Sequence, residues 1–203
     1  MDQQFEDIPE KVYHGTTSNH FHSLREAIDV NIGIANDKPD FGKGFYTTTN
    51  IEQAWTQANR KAKFNNRKAE RNPTIVRVEP IVLEYKVDTG KLSRSESGLV
   101  FNKPDKSWAE FVYNNRRCEI LEDNKFHNRN QTFDYIFGPL ADGFIIPLVD
   151  MLEKSEITWE QFLKKITPYK EGNRYQDQLS FHTMNSAKCL SLKRLLNDRR
   201  GDI

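Results

Sequence analysis

The stretch Asp40-Phe41-Gly42-Lys43-Gly44-Phe45-Tyr46-Thr47-Thr48-Thr49-Asn50 constrains the fold more than any other part of this chain. Two glycines flank a lysine, so the backbone there can take conformations closed to residues with a side chain. The aromatic and β-branched run that follows predicts a short strand. Thr49-Asn50-Ile51-Glu52 then has the spacing of a capping box, which predicts a helix start. A tight turn therefore feeds a strand, and the strand feeds a helix. Tyr46 sits on that strand, beside a turn where a ligand can approach the backbone. The rest of the chain is expected to build a pocket around Tyr46.

Upstream, Val12 and Tyr13 predict a strand that stops at Gly15, followed by Thr16 and Thr17. Ser18 or Asn19 is placed to cap a helix with Phe21, Leu24 and Ile28 on its apolar face. Asn31 to Pro39 reads as a loop. The helix after Thr49 aligns Ile51, Ala54, Trp55, Ala58 and Ala62 on one side. Its far end is basic from Arg60 to Arg71 and opposed only by Glu70. Such a run is ordinarily a solvated face, with contact to a phosphate-bearing target as the alternative.

Downstream, Thr74 to Asp88 is the strongest strand region, with Ile75, Val76 and Val78 before Pro80 and Ile81, Val82, Leu83, Tyr85 and Val87 after it. Pro80 predicts an edge position or a bulge. Lys91 to Gly98 reads as a loop. Pro104-Asp105-Lys106-Ser107 enters a helix that buries Trp108, Phe111 and Val112 and closes at Asn114 to Arg117. Glu119 to Gln131 reads as a polar, mobile segment, and Phe133 to Pro139 as a strand. Pro147 to Glu153 predicts a short helix. Thr158-Trp159-Glu160-Gln161 has capping-box spacing before a second one, and together they form a helical insertion over about 145–172. Tyr175 to His182 returns to strand. Thr183 is placed to cap a last helix with Met184, Ala187, Leu190 and Leu195 inward, before a frayed end from Asp198. This order predicts an α+β fold in one domain, with a core over about 11–196.

Composition narrows the class. With 13 Phe, 7 Tyr and 3 Trp in 203 residues, the chain has the apolar material for a real core despite 29% charged residues. A formal net charge of +1 gives no global field toward nucleic acid or membrane. Cys118 and Cys189 lie far apart without ligand-type spacing and read as reduced thiols of a cytoplasmic protein. Met1 to Glu10 lacks the apolar run of a secretory signal, and no stretch approaches the ~20 apolar residues of a membrane span.

Taken one at a time, the candidate site residues are weak. His14 beside Gly15 stands only modestly above a structural histidine, and a Phe-Tyr pair on a strand is ordinarily core. Gly42-Lys43-Gly44 is neither a Walker loop nor a dinucleotide fingerprint. His20 and His22 invite a metal, but on a helix i and i+2 point apart and no third ligand is apparent, so none is expected.

Together they are more specific. Tyr13-His14-Gly15-Thr16, the Asp40 to Thr49 run, Trp108 to Arg116, Asp134-Tyr-Ile-Phe-Gly-Pro-Leu-Ala-Asp142 and Gln178-Leu-Ser-Phe-His182 occur in a set order. This pattern resembles the ADP-ribosyltransferase superfamily, in its diphtheria-toxin and poly(ADP-ribose) polymerase-like branch. It is most similar to the bacterial and phage family called domain of unknown function 3990. The resemblance runs from about Val12 to Leu195. It implies a split antiparallel sheet, with surrounding helices, that clasps NAD as substrate. It implies that His14 bonds a hydroxyl of the adenosine ribose or of the nicotinamide-side ribose. Gly15 would hold the nicotinamide amide through its backbone, and Tyr46 would stack on the nicotinamide ring. Thr16, Phe45 and Asp142 belong to the same implied NAD contacts, and no metal is implied. Donors and a stacking face around the glycosidic bond favour an oxocarbenium-like transition state.

The third position departs from the polymerase-type pattern. A glutamate is expected on the late strand, and Gln178 stands there. Glutamine keeps a hydrogen bond to a ribose hydroxyl but cannot act as a general base. Chain elongation is thereby disfavoured and mono-ADP-ribosylation favoured, with Asp142 or Glu110 as possible substitute carboxylates. The expected function is an NAD-dependent mono-ADP-ribosyltransferase acting on a macromolecular acceptor, as a toxin or phage–host conflict effector. The alternatives are a degenerate nucleotide- or partner-binding module and an NAD glycohydrolase.

Overall fold

In the computed structural model the described residues are 8–31, 38–95, 97–117, 126–142, 144–168, 170–171 and 174–197. Cys118 and the end from Asp198 lie outside them, as does part of the Glu119 to Gln131 segment. The elements run in chain order as β1 (Lys11–Thr17), a 3-10 turn (Ser18–His20), α1 (Phe21–Glu26), β2 (Phe45–Thr47), α2 (Ile51–Arg71) and β3 (Pro80–Val87). Then come α3 (Thr89–Leu92), β4 (Gly98–Val100), α4 (Lys106–Arg116), β5 (Tyr135–Pro139), α5 (Ile145–Glu153) and α6 (Trp159–Ile166). A two-stranded ribbon of β6 (Lys170–Glu171) and β7 (Arg174–Tyr175) leads to β8 (Asp177–Phe181), α7 (Met184–Ala187) and β9 (Leu190–Leu196).

Two larger sheets carry the α+β fold. The first has the order β1-β3-β9 and is antiparallel throughout. The second has the order β2-β8-β5-β4. It is mixed rather than antiparallel, because β4 and β5 pair in parallel, with α4 in the connection between them. Alternation along each strand sends side chains to opposite faces and so sets the layers. Val12, Leu83 and Tyr85 share a core with Phe45, Leu179 and Phe181. On the other side of the first sheet, Tyr13, Val82 and Leu196 pack with Ala54, Trp55 and Ala58 of α2. The second sheet's other side, with Ile136, packs with Trp108 and Phe111 of α4 and Phe162 of α6.

Several boundaries depart from the sequence expectation for identifiable reasons. β1 does not stop at Gly15 but runs to Thr17, paired with Pro80. α1 ends at Glu26, where Ala27 turns extended, and Ile28 reaches the core from beyond the helix. Neither Ser18 nor Asn19 caps it; the residue before it is His20, without a side-chain cap bond. α2 is capped by Asn50 instead of Thr49, with its side chain accepting from Glu52 N and Gln53 N. Thr49 is occupied elsewhere, donating its hydroxyl to Asp177 at 2.8 Å.

Ile75 and Val76 are exposed and lie outside any strand. Asn66 of α2 bonds both Val78 N and Val78 O at 2.9 Å and so takes the backbone groups a neighbouring strand would use. Pro80 opens β3, the central strand of its sheet, where a missing N–H at the first position removes no interior bond. The Lys91 to Gly98 loop contains the end of α3 and the first residue of β4. His127 and Asn128 are buried instead of solvated. Asn115 of α4 accepts from Asn128 N at 3.0 Å, and Asn114 donates to Phe126 O at 3.1 Å.

The largest correction is the last element. Only Met184–Ala187 is helical, and Leu190 and Leu195 lie on β9. Arg194 pairs with Glu84 and Leu192 with Tyr85, so the register slips at one residue. A bulge of this kind spaces Leu192 and Leu195 by three, which imitates a helical repeat. α5 begins at Ile145, two residues before the expected start at Pro147, and both halves of the Thr158–Gln161 capping box are formed at α6.

Candidate functional site

The two larger sheets approach each other at the edges β1 and β2. Among the described residues they are tied there by one isolated bridge, in which Tyr13 N donates to Thr48 O at 2.8 Å and Thr48 N to Tyr13 O at 2.9 Å. Around this junction lies a cleft of about 530 Å³, counting its open mouth. It is lined from β1 by Tyr13, His14 and Gly15, and from β2 by Tyr46 and Thr47. Gln178 of β8 and Leu140, just after β5, contribute from the second sheet, and Gln53, Gln57 and Lys61 from α2. Four of the expected site residues, His14, Gly15, Tyr46 and Gln178, therefore share one cleft.

His14 spans the junction. Its Nδ1–H donates to the Tyr46 carbonyl at 2.6 Å, which leaves Nε2 as an unprotonated acceptor. The ring stacks on Phe45 with centroids 4.4 Å apart. Burial pushes its pKa down to about 3, helped by the positive charge of Lys61, so the imidazole is neutral at physiological pH.

Gly15 has no room for a side chain. A Cβ there would lie 1.9 Å from the carbonyl oxygen of Ala54, because α2 crosses β1 at this point. Gly15 follows Tyr13 by two residues, so its backbone polar groups face the same open edge. Its carbonyl oxygen accepts from Lys61 Nζ at 2.8 Å.

Tyr46 lines the cleft, its ring lies edge-on to His182 with centroids 6.1 Å apart, and its hydroxyl is engaged in the preceding turn. The hydroxyl donates to Gly42 O at 2.5 Å and accepts from Phe41 N at 3.2 Å. Gly42 turns the chain there with φ of +86°, a conformation that disfavours other residues. The next residues are anchored from behind by His182, whose Nδ1–H donates to Lys43 O at 2.7 Å. Ser180 Oγ lies 2.9 Å from the His182 Nε2. Burial lowers the His182 pKa to about 4, so this ring too is neutral. Gln178 is 4% exposed, and its Nε2 donates to Asp40 Oδ2 at 3.1 Å.

The remaining expected contacts fall elsewhere. Thr16 is buried in β1, and Phe45 points into the core beneath His14. Asp142 is exposed, with its N–H donating to Ile166 O at 2.9 Å at the end of α6. None of these three lines the cleft. Glu110 is on the exposed side of α4. His20 and His22 are both exposed. Of the basic run from Arg60 to Arg71, Lys61 alone reaches the cleft. The described lining contains no carboxylate, so Lys61 with a neutral His14 gives the cleft a positive bias.

Gln53, Gln57 and Lys61 were legible only as a pattern. They recur every four residues beside Ala54, Ala58 and Ala62, so one helical stripe is small enough to lie against β1 and the next presents polar groups to the gap. Asp40 and Arg116 carried no such signal, because their partnership spans distant parts of the chain.

A family model described as "Protein of unknown function (DUF3990)" matches residues 11–192. No curated protein and no solved structure matches the chain.

Proposed function

The chain belongs to the DUF3990 family, and from the form of its cleft we propose that it is an NAD-dependent mono-ADP-ribosyltransferase of the ADP-ribosyltransferase superfamily. The observation that carries the proposal is the break between β1 and β2. His14, Gly15, Tyr46 and Gln178, drawn from three strands, converge where the two sheets are joined by one bridge. A neutral His14 with its proton on Nδ1 suits a ligand hydroxyl, which would donate to Nε2. The Tyr46 ring offers a flat face to a cationic nicotinamide. The open edge at Gly15 suits a carboxamide.

In the proposed reaction the bond between the ribose C1′ and the nicotinamide nitrogen breaks, and its electron pair leaves with nicotinamide. The acceptor's lone pair then bonds C1′, and the acceptor's proton passes to solvent. Neither Gln178 nor a histidine with pKa near 3 is a competent base at neutral pH. The reading therefore favours an acceptor that is already nucleophilic. Catalysis would rest on holding the ribose and on dispersing charge. Lys61 occupies the Gly15 carbonyl that a carboxamide would use. Ligand entry would displace Nζ, leaving it to pair with the NAD phosphates.

The test is a reaction of wild-type protein with labelled NAD in a cell lysate, beside His14→Ala. Transfer of label to a macromolecule, lost in the variant, is the expected result. Nicotinamide release without a labelled macromolecule would replace transferase by glycohydrolase. Absence of both NAD binding and NAD consumption would leave an interaction module.

A further inference from the structure

Asp40 is 3% exposed, and its carboxylate ties residues from three other motifs to its own. Oδ1 accepts from Arg116 Nε at 2.9 Å and from Arg116 Nη2 at 2.7 Å. Oδ2 accepts from Ala141 N at 3.2 Å and from Gln178 Nε2 at 3.1 Å. The turn before β2, the end of α4, the segment after β5 and the start of β8 are thus joined at one side chain. Three of these bonds are structural. The fourth bears on the cleft.

A carboxylate only accepts hydrogen bonds, so the Gln178 atom facing Asp40 must be its NH2 group. That leaves Oε1, an acceptor, as the amide atom available to the cleft that Gln178 lines. A glutamate in place of Gln178 would put a second carboxylate about where Nε2 now lies, 3.1 Å from Asp40 Oδ2. Two carboxylates that close do not both stay charged. Asp40 therefore supplies a physical reason for glutamine at this position.

We propose that Asp40 is a positioning residue that fixes the Gln178 amide with Oε1 toward the ligand, so that position 178 accepts a hydrogen bond from a ligand hydroxyl and carries no charge. The identity of that hydroxyl as one on the NAD ribose rests on the function proposed above; the clasp between Asp40 and Gln178 does not. An asparagine in place of Asp40 keeps its oxygen for Arg116 and offers an NH2 where Oδ2 was, so the Ala141 N–H loses its acceptor, at some cost in stability that the melts register separately. Gln178 must then turn its oxygen toward that NH2, and the cleft receives a donor in place of an acceptor.

The experiment compares wild type, Q178E, D40N and D40N/Q178E by thermal melts from about pH 5 to about pH 8 and by steady-state NAD consumption. The charged groups around Gln178 are Asp40 before β2, Arg116 of α4 behind it, the adjacent Asp177, and Lys61 of α2 across the cleft; His14 of β1 faces it uncharged. Asp40 is the nearest, so the carboxyl introduced by Q178E titrates above its unfolded value, and that variant loses Tm relative to wild type as pH rises. In D40N/Q178E that loss disappears. Q178E gains no activity over wild type. D40N raises KM for NAD about tenfold with kcat little changed, the signature of a lost binding contact.

A Q178E protein with the pH dependence of wild type overturns the clasp, and this comparison decides even if D40N does not fold. A clasp signature in the melts with an unaltered KM in D40N overturns the positioning role. A clasp signature in a wild type that neither binds nor consumes NAD sinks the NAD reading and leaves the orientation of Gln178 by Asp40 in place.

Discussion

At the scale of single residues, Tyr46 divides into two parts with different jobs. Its hydroxyl holds the Asp40–Gly44 turn through Gly42 O and Phe41 N, while the residue itself lines the cleft, where the proposed function gives its ring the nicotinamide. Tyr46→Phe should therefore lower stability by about 1 kcal/mol and leave NAD turnover within a few-fold of wild type. Tyr46→Ala should remove turnover. Thermal melts and a nicotinamide-release assay on the two variants separate these effects. Lys61 makes a second prediction. If its Nζ exchanges the Gly15 carbonyl for phosphate, Lys61→Met raises KM for NAD by roughly tenfold and weakens the salt dependence of binding. Binding titrations at low and high salt would show it, and an unchanged KM would mean that Lys61 only covers the strand edge. The sequence made Tyr46, His14 and Gly15 legible because each lies in a short, local pattern. It could not show that Phe45, next to Tyr46, points into the core, since alternation says only that neighbours face opposite ways.

At the scale of elements, α2 is the part that shapes the cleft. It closes on β1 because Gly15 lacks a side chain and Ala54 and Ala58 are small. Gly15→Ala would drive a Cβ into the backbone of α2, which cannot yield as a flexible side chain would. It should cost about 3 kcal/mol or more, with loss of α2 packing visible as enhanced amide exchange along the helix. Asn50→Ala should cost about 1 kcal/mol by removing the bonds to Glu52 N and Gln53 N. The same alteration at Thr49 tests a different contact, the tie from the end of β2 to Asp177. Helices with strong end signals were readable in advance, as at Thr158 and Asp105. β9 was not, because its bulge broke the alternation that identifies a strand. Ile75 and Val76 misled in the opposite direction, because apolar β-branched residues predict a strand only when a partner strand is present.

At the scale of the whole molecule, two neutral histidines, His182 buried and His14 partly so, make the fold acid-sensitive. The folded-state pKa values of His14 and His182 lie at about 3 and about 4, below the ordinary value of 6.5. Between those values the unfolded chain binds protons that the folded chain does not, so stability falls as pH drops below 6.5. Melts from neutral to acidic pH should show this slope, and His182→Gln should flatten part of it at some cost in stability at neutral pH. Both histidines bond the strand and turn that carry Tyr46, His14 through Tyr46 O and His182 through Lys43 O. Acid should accordingly disturb the cleft before the helical layer of α4 to α6. The α+β class was foreseeable from the order of strands and helices; the parallel pairing of β4 with β5 was not, because a three-residue strand leaves little trace in sequence. The most direct measurement is the fate of labelled NAD in a lysate with wild type and Tyr46→Ala side by side. The account predicts label on a macromolecule with wild type and none with the variant. Equal labelling by both proteins, or NAD neither bound nor consumed by wild type, would contradict it.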